Sequence, residues 1–114
     1  MNESCAPVDA GVNEFERAKL EQGASRVIKA PRVTASPVSF ECKTTQIIQL
    51  TTKEGDDVPT WMVFGEVVGV HIARHLLKDG VYQTADAEPI LRGGGPGDYF
   101  TVTENDKFFM PRHF

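Results

Sequence analysis

Cysteine is scarce in this chain: only Cys5 and Cys42 occur in 114 residues. Two are too few for a disulfide framework, so nothing calls for an oxidising compartment. A basic excess is also missing. The formal net charge is -4 and the sequence pI is near 5.3. This argues against a dedicated nucleic-acid binder, which needs a basic face to neutralise phosphates. No apolar run approaches the roughly 20 residues needed to span a bilayer. The longest candidate, Thr60 to Ile72, is interrupted by Gly65, Glu66 and Gly69. The opening Met-Asn-Glu-Ser-Cys-Ala-Pro has neither the basic start nor the apolar stretch of a secretory signal. Internal repeats and low-complexity tracts are absent as well. These absences point to a soluble, cytoplasmic protein that engages neither membrane nor nucleic acid.

Hydrophobic residues make up 40% of the chain and charged residues 25%, ordinary values for one small folded domain. Residues 1–12 are polar and punctuated by Pro7 and Gly11, so they read as a flexible segment. Asn13 can cap a short helix whose first turn carries Glu14 and Glu16, with Gly23 expected to end it. Pro31 and Pro37 suit an extended connector. From Val38 to Leu50 apolar and polar residues alternate, which predicts a long strand. The alternation slips at Ile47-Ile48, a hint of a bulge or of burial on both faces. Cys42 in this strand is expected to be a buried, inert thiol. The polar stretch Thr51 to Pro59 reads as a hairpin loop, and Trp61 to Ile72 as the return strand. Gly65 and Gly69, four apart, share one face of that strand and mark a bend or room for a ligand.

Beyond Ile72, Ala73 to Leu77 predicts one helical turn stopped by Lys78-Asp79-Gly80. Thr84 to Glu88 is a polar connector or a second turn. Gly93 to Gly97 is a glycine-proline loop, and Tyr99 to Thr103 alternates as a last strand. Phe108, Phe109 and Phe114 make an apolar tail of the kind that docks, often on a second subunit. Three strands close no barrel, so either further strands hide in Arg26 to Val33 or the sheet edge needs another chain.

Few residues can carry chemistry. His71, ending a glycine-bearing strand, could donate to a ligand carbonyl or move a proton near neutral pH. Equally, it could be a rim histidine bonded to a loop. His75 lies four residues on, but a metal pair would need both on one helix and a third ligand, so no metal is expected. Arg92 followed by Gly93, Gly94 and Gly95 could hold an anion through backbone N–H groups and the guanidinium charge. The alternative is a tight loop with Arg92 paired to Glu88 or Asp98. Neither a P-loop ending nor a dinucleotide fingerprint is present. Tyr99 could stack on a ligand ring or serve the core. Trp61 reads as a core or interface anchor. Glu41 and Glu66 could form a carboxylate pair, though carboxylates on strands commonly face water. Hydrolase chemistry has no support, since no nucleophile elbow occurs and Cys42 lacks a base.

Three segments in series resemble the flavin reductase-like family. They are Ser36-Pro37-Val38-Ser39-Phe40-Glu41-Cys42-Lys43, Phe64-Gly65-Glu66-Val67-Val68-Gly69-Val70-His71-Ile72, and Pro89-Ile90-Leu91-Arg92-Gly93-Gly94-Gly95 with Asp98-Tyr99-Phe100. Asn13-Glu14-Phe15-Glu16 looks like the helix that precedes the Ser-Pro strand. The resemblance implies a mainly β fold, the FMN-binding split β-barrel with short helices. Residues 13–114 would be its C-terminal portion, without the opening strands and their Ser/Thr/Asn-rich loop. It further implies a homodimer that binds FMN or FAD and takes electrons from NAD(P)H. A monooxygenase or other flavin-accepting partner would follow. His71 is then the expected catalytic residue, and Arg92, Gly93, Gly94 and Tyr99 the expected cofactor contacts, the two sets converging beside a slot for the flavin ring. The second reading is a non-catalytic dimerisation or interaction module of the same fold.

Overall fold

The computed structural model describes residues 2–113, and the expectation for Phe114 lies outside them. The chain divides into two compact units, Met1–His71 and Ile72–Phe114. Each is mainly β, as expected from the alternating patterns. All the strands among the described residues pair in two-stranded sheets, and no sheet closes into a barrel.

The first unit begins with a one-turn 3-10 helix, Asn2–Cys5, and the short helix α1, Glu14–Ala18. Arg17 Nε donates to Glu3 at 3.0 Å, which ties the opening segment to α1. Asn13 caps α1 as the sequence predicts: its Oδ1 accepts the Phe15 N–H at 3.0 Å. The end differs. Lys19 takes the left-handed conformation (φ 55°) and its N–H donates back to Glu16, so the helix stops at Ala18, well before Gly23. Gly23 belongs instead to β1 (Gln22–Gly23), which pairs antiparallel with β2 (Arg32–Val33). A side chain at Gly23 would meet Thr34 Oγ1 at 2.9 Å, so close packing beside β2 explains the glycine.

A long hairpin follows, formed by β3 (Val38–Thr51) and β4 (Asp57–Ile72). Thr52 N–H donates to the Asp56 carbonyl at 2.8 Å, and Gly55 turns the chain at φ 96°. The strands reach further toward the turn than the sequence pattern suggests, and Pro59 lies within β4. A two-stranded sheet leaves part of each strand's N–H groups unpaired, which is where proline is tolerated.

This hairpin overturns three expectations. Cys42 is exposed rather than buried. Ile47 and Ile48 are both exposed, so their pairing does not mark burial on two faces. Trp61 is 57% exposed, so its core reading fails while its reading as an interface anchor stays open. The physical reason is common to all three: one hairpin offers no second layer to cover its faces.

The second unit starts with a 3-10 turn, Arg74–Leu76. The expected helix stop at Lys78-Asp79-Gly80 is instead the turn of a hairpin joining β5 (Leu77–Lys78) and β6 (Val81–Tyr82). Asp79 (φ 51°) and Gly80 (φ 78°) both take positive φ, the type I′ pattern that Asp-Gly favours. After a 3-10 turn at Ala85–Ala87, β7 (Ile90–Arg92) pairs with β8 (Tyr99–Thr101), setting Arg92 opposite Tyr99. In the tail Phe108 and Phe109 are largely exposed on this single chain, which leaves docking on a second subunit open. Phe108 only borders a hollow lined by Thr84, Val102 and Lys107.

Positive φ at Gly80 makes a sharp prediction. Gly80→Ala should destabilise the chain by about 1 kcal/mol, and Gly80→Asn by less, because Asn tolerates this region. Equal denaturation midpoints for the three proteins would contradict the turn.

Candidate functional site

Glu41 on β3 is 1% exposed, the only polar side chain among the described residues buried to that degree. Gly69 on β4 makes room for it. A Cβ at Gly69 would lie 3.3 Å from both Cβ and Cδ of Glu41, closer than side chains normally pack. The glycine noted in the sequence as a bend or ligand space is therefore explained by a buried carboxylate.

Every oxygen of that carboxylate is engaged. The loop between β1 and β2 turns three successive backbone N–H groups onto it. Arg26 donates to Oε1 at 2.8 Å, while Val27 and Ile28 donate to Oε2 at 2.6 and 3.0 Å. Ser25 Oγ donates to the Ala30 carbonyl at 2.6 Å and closes the loop on itself. His71, next to last in β4, places Nε2 2.5 Å from Oε1. A buried carboxylate is tolerated only when its lone pairs are filled, and here donors come from the loop and from the neighbouring strand. The Arg26 N–H is the largest influence on its titration, followed by His71 and then Val27 and Ile28. Together they outweigh burial and lower the pKa from an ordinary 4.5 to about 2. The His71 side chain stays 22% exposed, so it has one protected edge and one open edge.

In the second unit, Arg92, Gly93, Gly94 and Tyr99 come together in the β7–β8 hairpin. Arg92 Nη1 donates to the carbonyls of Gly93, Gly94 and Asp98 at 2.7, 3.1 and 3.0 Å. Nη2 donates to the Gly95 carbonyl at 2.8 Å. The guanidinium carbon lies 5.2 Å from the Tyr99 ring centroid, within cation–π range. The loop thus closes its carbonyls around the cation. The tight-loop alternative named Glu88 or Asp98 as the partner of Arg92; the partners are instead four backbone carbonyls, that of Asp98 among them. Gly93 is required by contact: a Cβ there would lie 2.5 Å from the Phe100 ring.

The other candidates are dispersed. Glu66, His75 and His113 are exposed. Among the described residues no three His, Cys, Asp or Glu side chains gather as a metal site would require. No described helix is long and apolar enough to cross a membrane. Sequence reasoning set Glu41 aside as a solvated carboxylate. The signal that could have flagged it is a strand glutamate followed in the next strand by two glycines and a histidine.

Nitrilotriacetate monooxygenase component B from Bacillus cereus superposes on 96% of this chain with a TM-score of 0.80 and 30% identity. The chain's structural neighbours are flavin reductase-like split-barrel proteins. The 2-nitrobenzoate 2-nitroreductase NbaA of Pseudomonas fluorescens matches 90% of the chain at a TM-score of 0.72 and 27% identity. A Shewanella frigidimarina protein, described as a flavin reductase with a split barrel domain, matches 98% at a TM-score of 0.75 and shares the fold at 20% identity. An uncharacterized protein of Halalkalibacterium halodurans is 30% identical over 95 residues, 83% of this chain and 45% of that protein. This chain covers 52%, 50% and 53% of the three structural neighbours, so it spans about half their length and about half that of its curated relative. No protein-family model matches it.

The lowered pKa of Glu41 sets an acid limit on the fold. The ionised form is favoured in the folded state, so its contribution is complete above 4.5 and is lost as pH falls toward 2. Thermal melts between those values should show wild type losing stability steadily. Glu41→Gln should melt lower at neutral pH and change little across the same window. An equally steep acid loss in Glu41→Gln would place the titrating group elsewhere.

Proposed function

We propose that this chain is a flavin reductase-like protein, the C-terminal portion of a split barrel, that binds FMN or FAD and serves electron transfer from NAD(P)H. The observation carrying this reading is the likeness to nitrilotriacetate monooxygenase component B at 30% identity over 96% of the chain. Bound flavin would supply the redox chemistry, accepting hydride from the nicotinamide and releasing electrons to an acceptor. The chain's own residues would bind and orient it.

The residues fit such a group in part. A flavin ring needs an apolar wall and a few placed polar groups. In the first unit β4 exposes Trp61 and Val63 on one face, and His71 keeps one edge open. In the second, Tyr99 offers an exposed aromatic face beside Arg92. The Arg92 guanidinium is committed to its own loop, so a phosphate there would have to draw it away from four carbonyls. Cofactor contact by Arg92, Gly93, Gly94 and Tyr99 is proposed on these terms, and His71 is proposed as the residue nearest the reaction. The protein would act in the cytoplasm and pass reduced flavin to a monooxygenase or similar acceptor.

A homodimer is part of the proposal. Phe40, Ile47, Trp61 and Val63 are each 57–62% exposed. Burying one such side chain stabilises by about 1.5–3 kcal/mol. A lone two-stranded hairpin is marginal in water, so a second layer must cover it. The same exposure, with Arg92 turned onto its own loop, favours the second reading, an interaction module that keeps the pairing surface without turnover.

One experiment separates the two. The purified chain is mixed with FMN, gel-filtered with light-scattering detection, and assayed for NAD(P)H oxidation. Retained yellow flavin, a mass of two chains and NAD(P)H oxidation are expected. A folded dimer that releases all its flavin would leave the interaction module, and a stable monomer would remove the dimer from both readings.

A further inference from the structure

The Glu41–His71 pair has a chemical polarity that neither its strand positions nor the fold alone would supply. An ionised carboxylate only accepts hydrogen bonds. Glu41 already receives three backbone N–H groups and sits 2.5 Å from Nε2 of His71. Nε2 must therefore carry a hydrogen. In the neutral imidazole this leaves Nδ1 bare, with its lone pair outward. Among the described residues no hydrogen bond reaches Nδ1, and it is not one of the buried atoms lacking a partner, so it is open to solvent.

We propose that Glu41 is a positioning residue that locks His71 as the Nε2–H tautomer and presents Nδ1 as a hydrogen-bond acceptor for an N–H donor on a planar ring. The inference rests on the flavin reading and deepens it. The chemistry it selects is an imide or carboxamide N–H, found on the flavin ring and on the nicotinamide of the donor. It also explains the architecture around the pair. A side chain at Gly69 would crowd Glu41 in its place, and the Val27 and Ile28 backbone must fold over to saturate the second oxygen. A carboxylate used only to pin the loop would not need the histidine edge, and a rim histidine would not need a saturated carboxylate behind it.

The test has two arms on the full chain. In the first, long-range 1H–15N correlation on wild type, above the pH at which the imidazole is neutral, reads the tautomer directly. Nε2 protonated with Nδ1 bare is expected. The Nδ1–H tautomer, or an even mixture, overturns the proposal. This arm needs no variant, so it stands if Glu41→Gln fails to fold.

In the second arm, fluorescence titration compares FMN with its N3-methyl analogue, and NADH with its 3-acetylpyridine analogue, which lacks the carboxamide N–H. Wild type should prefer the N–H-bearing member of one pair by about tenfold, the worth of one net hydrogen bond. His71→Asn and Glu41→Gln should each reduce that preference to near unity. A preference in the first pair identifies the flavin imide and one in the second the nicotinamide; either supports the proposal. FMN binding with no preference in either pair overturns it and leaves the flavin reading standing. Failure of wild type to bind FMN at all removes the flavin reading and the ligand assignment, while the tautomer result still decides the role of Glu41.

Discussion

A buried carboxylate that cannot be left unpaired organises the first unit. Burying a charge is unfavourable unless donors replace the lost water. Glu41 meets that demand from two directions, the loop of Arg26, Val27 and Ile28 and the Nε2 edge of His71 on the adjoining strand. The constraint runs outward from there. It fixes a loop that has no regular secondary structure of its own, it is given room by glycine at position 69, and it gives His71 one committed edge and one open edge. Removing the carboxylate would release all three at once, since each depends on the same two oxygens.

The second unit uses the opposite arrangement. There a cation is the hub and backbone carbonyls are the spokes: Arg92 gathers those of Gly93, Gly94, Gly95 and Asp98 and lies against Tyr99. Both hubs hold irregular backbone in place with one side chain. They differ in what remains available. The imidazole beside Glu41 keeps a free nitrogen, whereas the guanidinium is occupied by its own loop. That difference is why His71 carries the mechanistic weight of the proposed function and Arg92 a more conditional one. Within the first unit the β3–β4 hairpin leaves large apolar side chains uncovered.

Much of this was legible in the sequence where periodicity and local chemistry decide. Alternation across Val38 to Leu50, with the polar loop that follows and the return strand Trp61 to Ile72, points to the long hairpin, and Asn13 to the helix start. Boundaries failed where a non-glycine residue did a glycine's work: Lys19 ends α1 in the left-handed region, and Gly23 serves packing instead. Lys78-Asp79-Gly80 reads as a helix stop in the sequence because the flanking strands are two residues long, too short to alternate visibly. Burial could not be read because it depends on a second layer; Cys42, Ile48 and Trp61 look like core residues by type. The pairing of Glu41 with His71 spans thirty residues and exists only through strand register. The split-barrel likeness came from the order of three motifs, none of which contains that pairing's chemistry.

Amide hydrogen exchange at Arg26, Val27 and Ile28 tests the central claim most directly. If Glu41 organises this unit, these three N–H groups exchange slowly in wild type at neutral pH although they lie in an irregular loop, and they exchange markedly faster in Glu41→Gln. Exchange in wild type as fast as that of the exposed Lys53 and Glu54 amides in the β3–β4 turn would contradict the account.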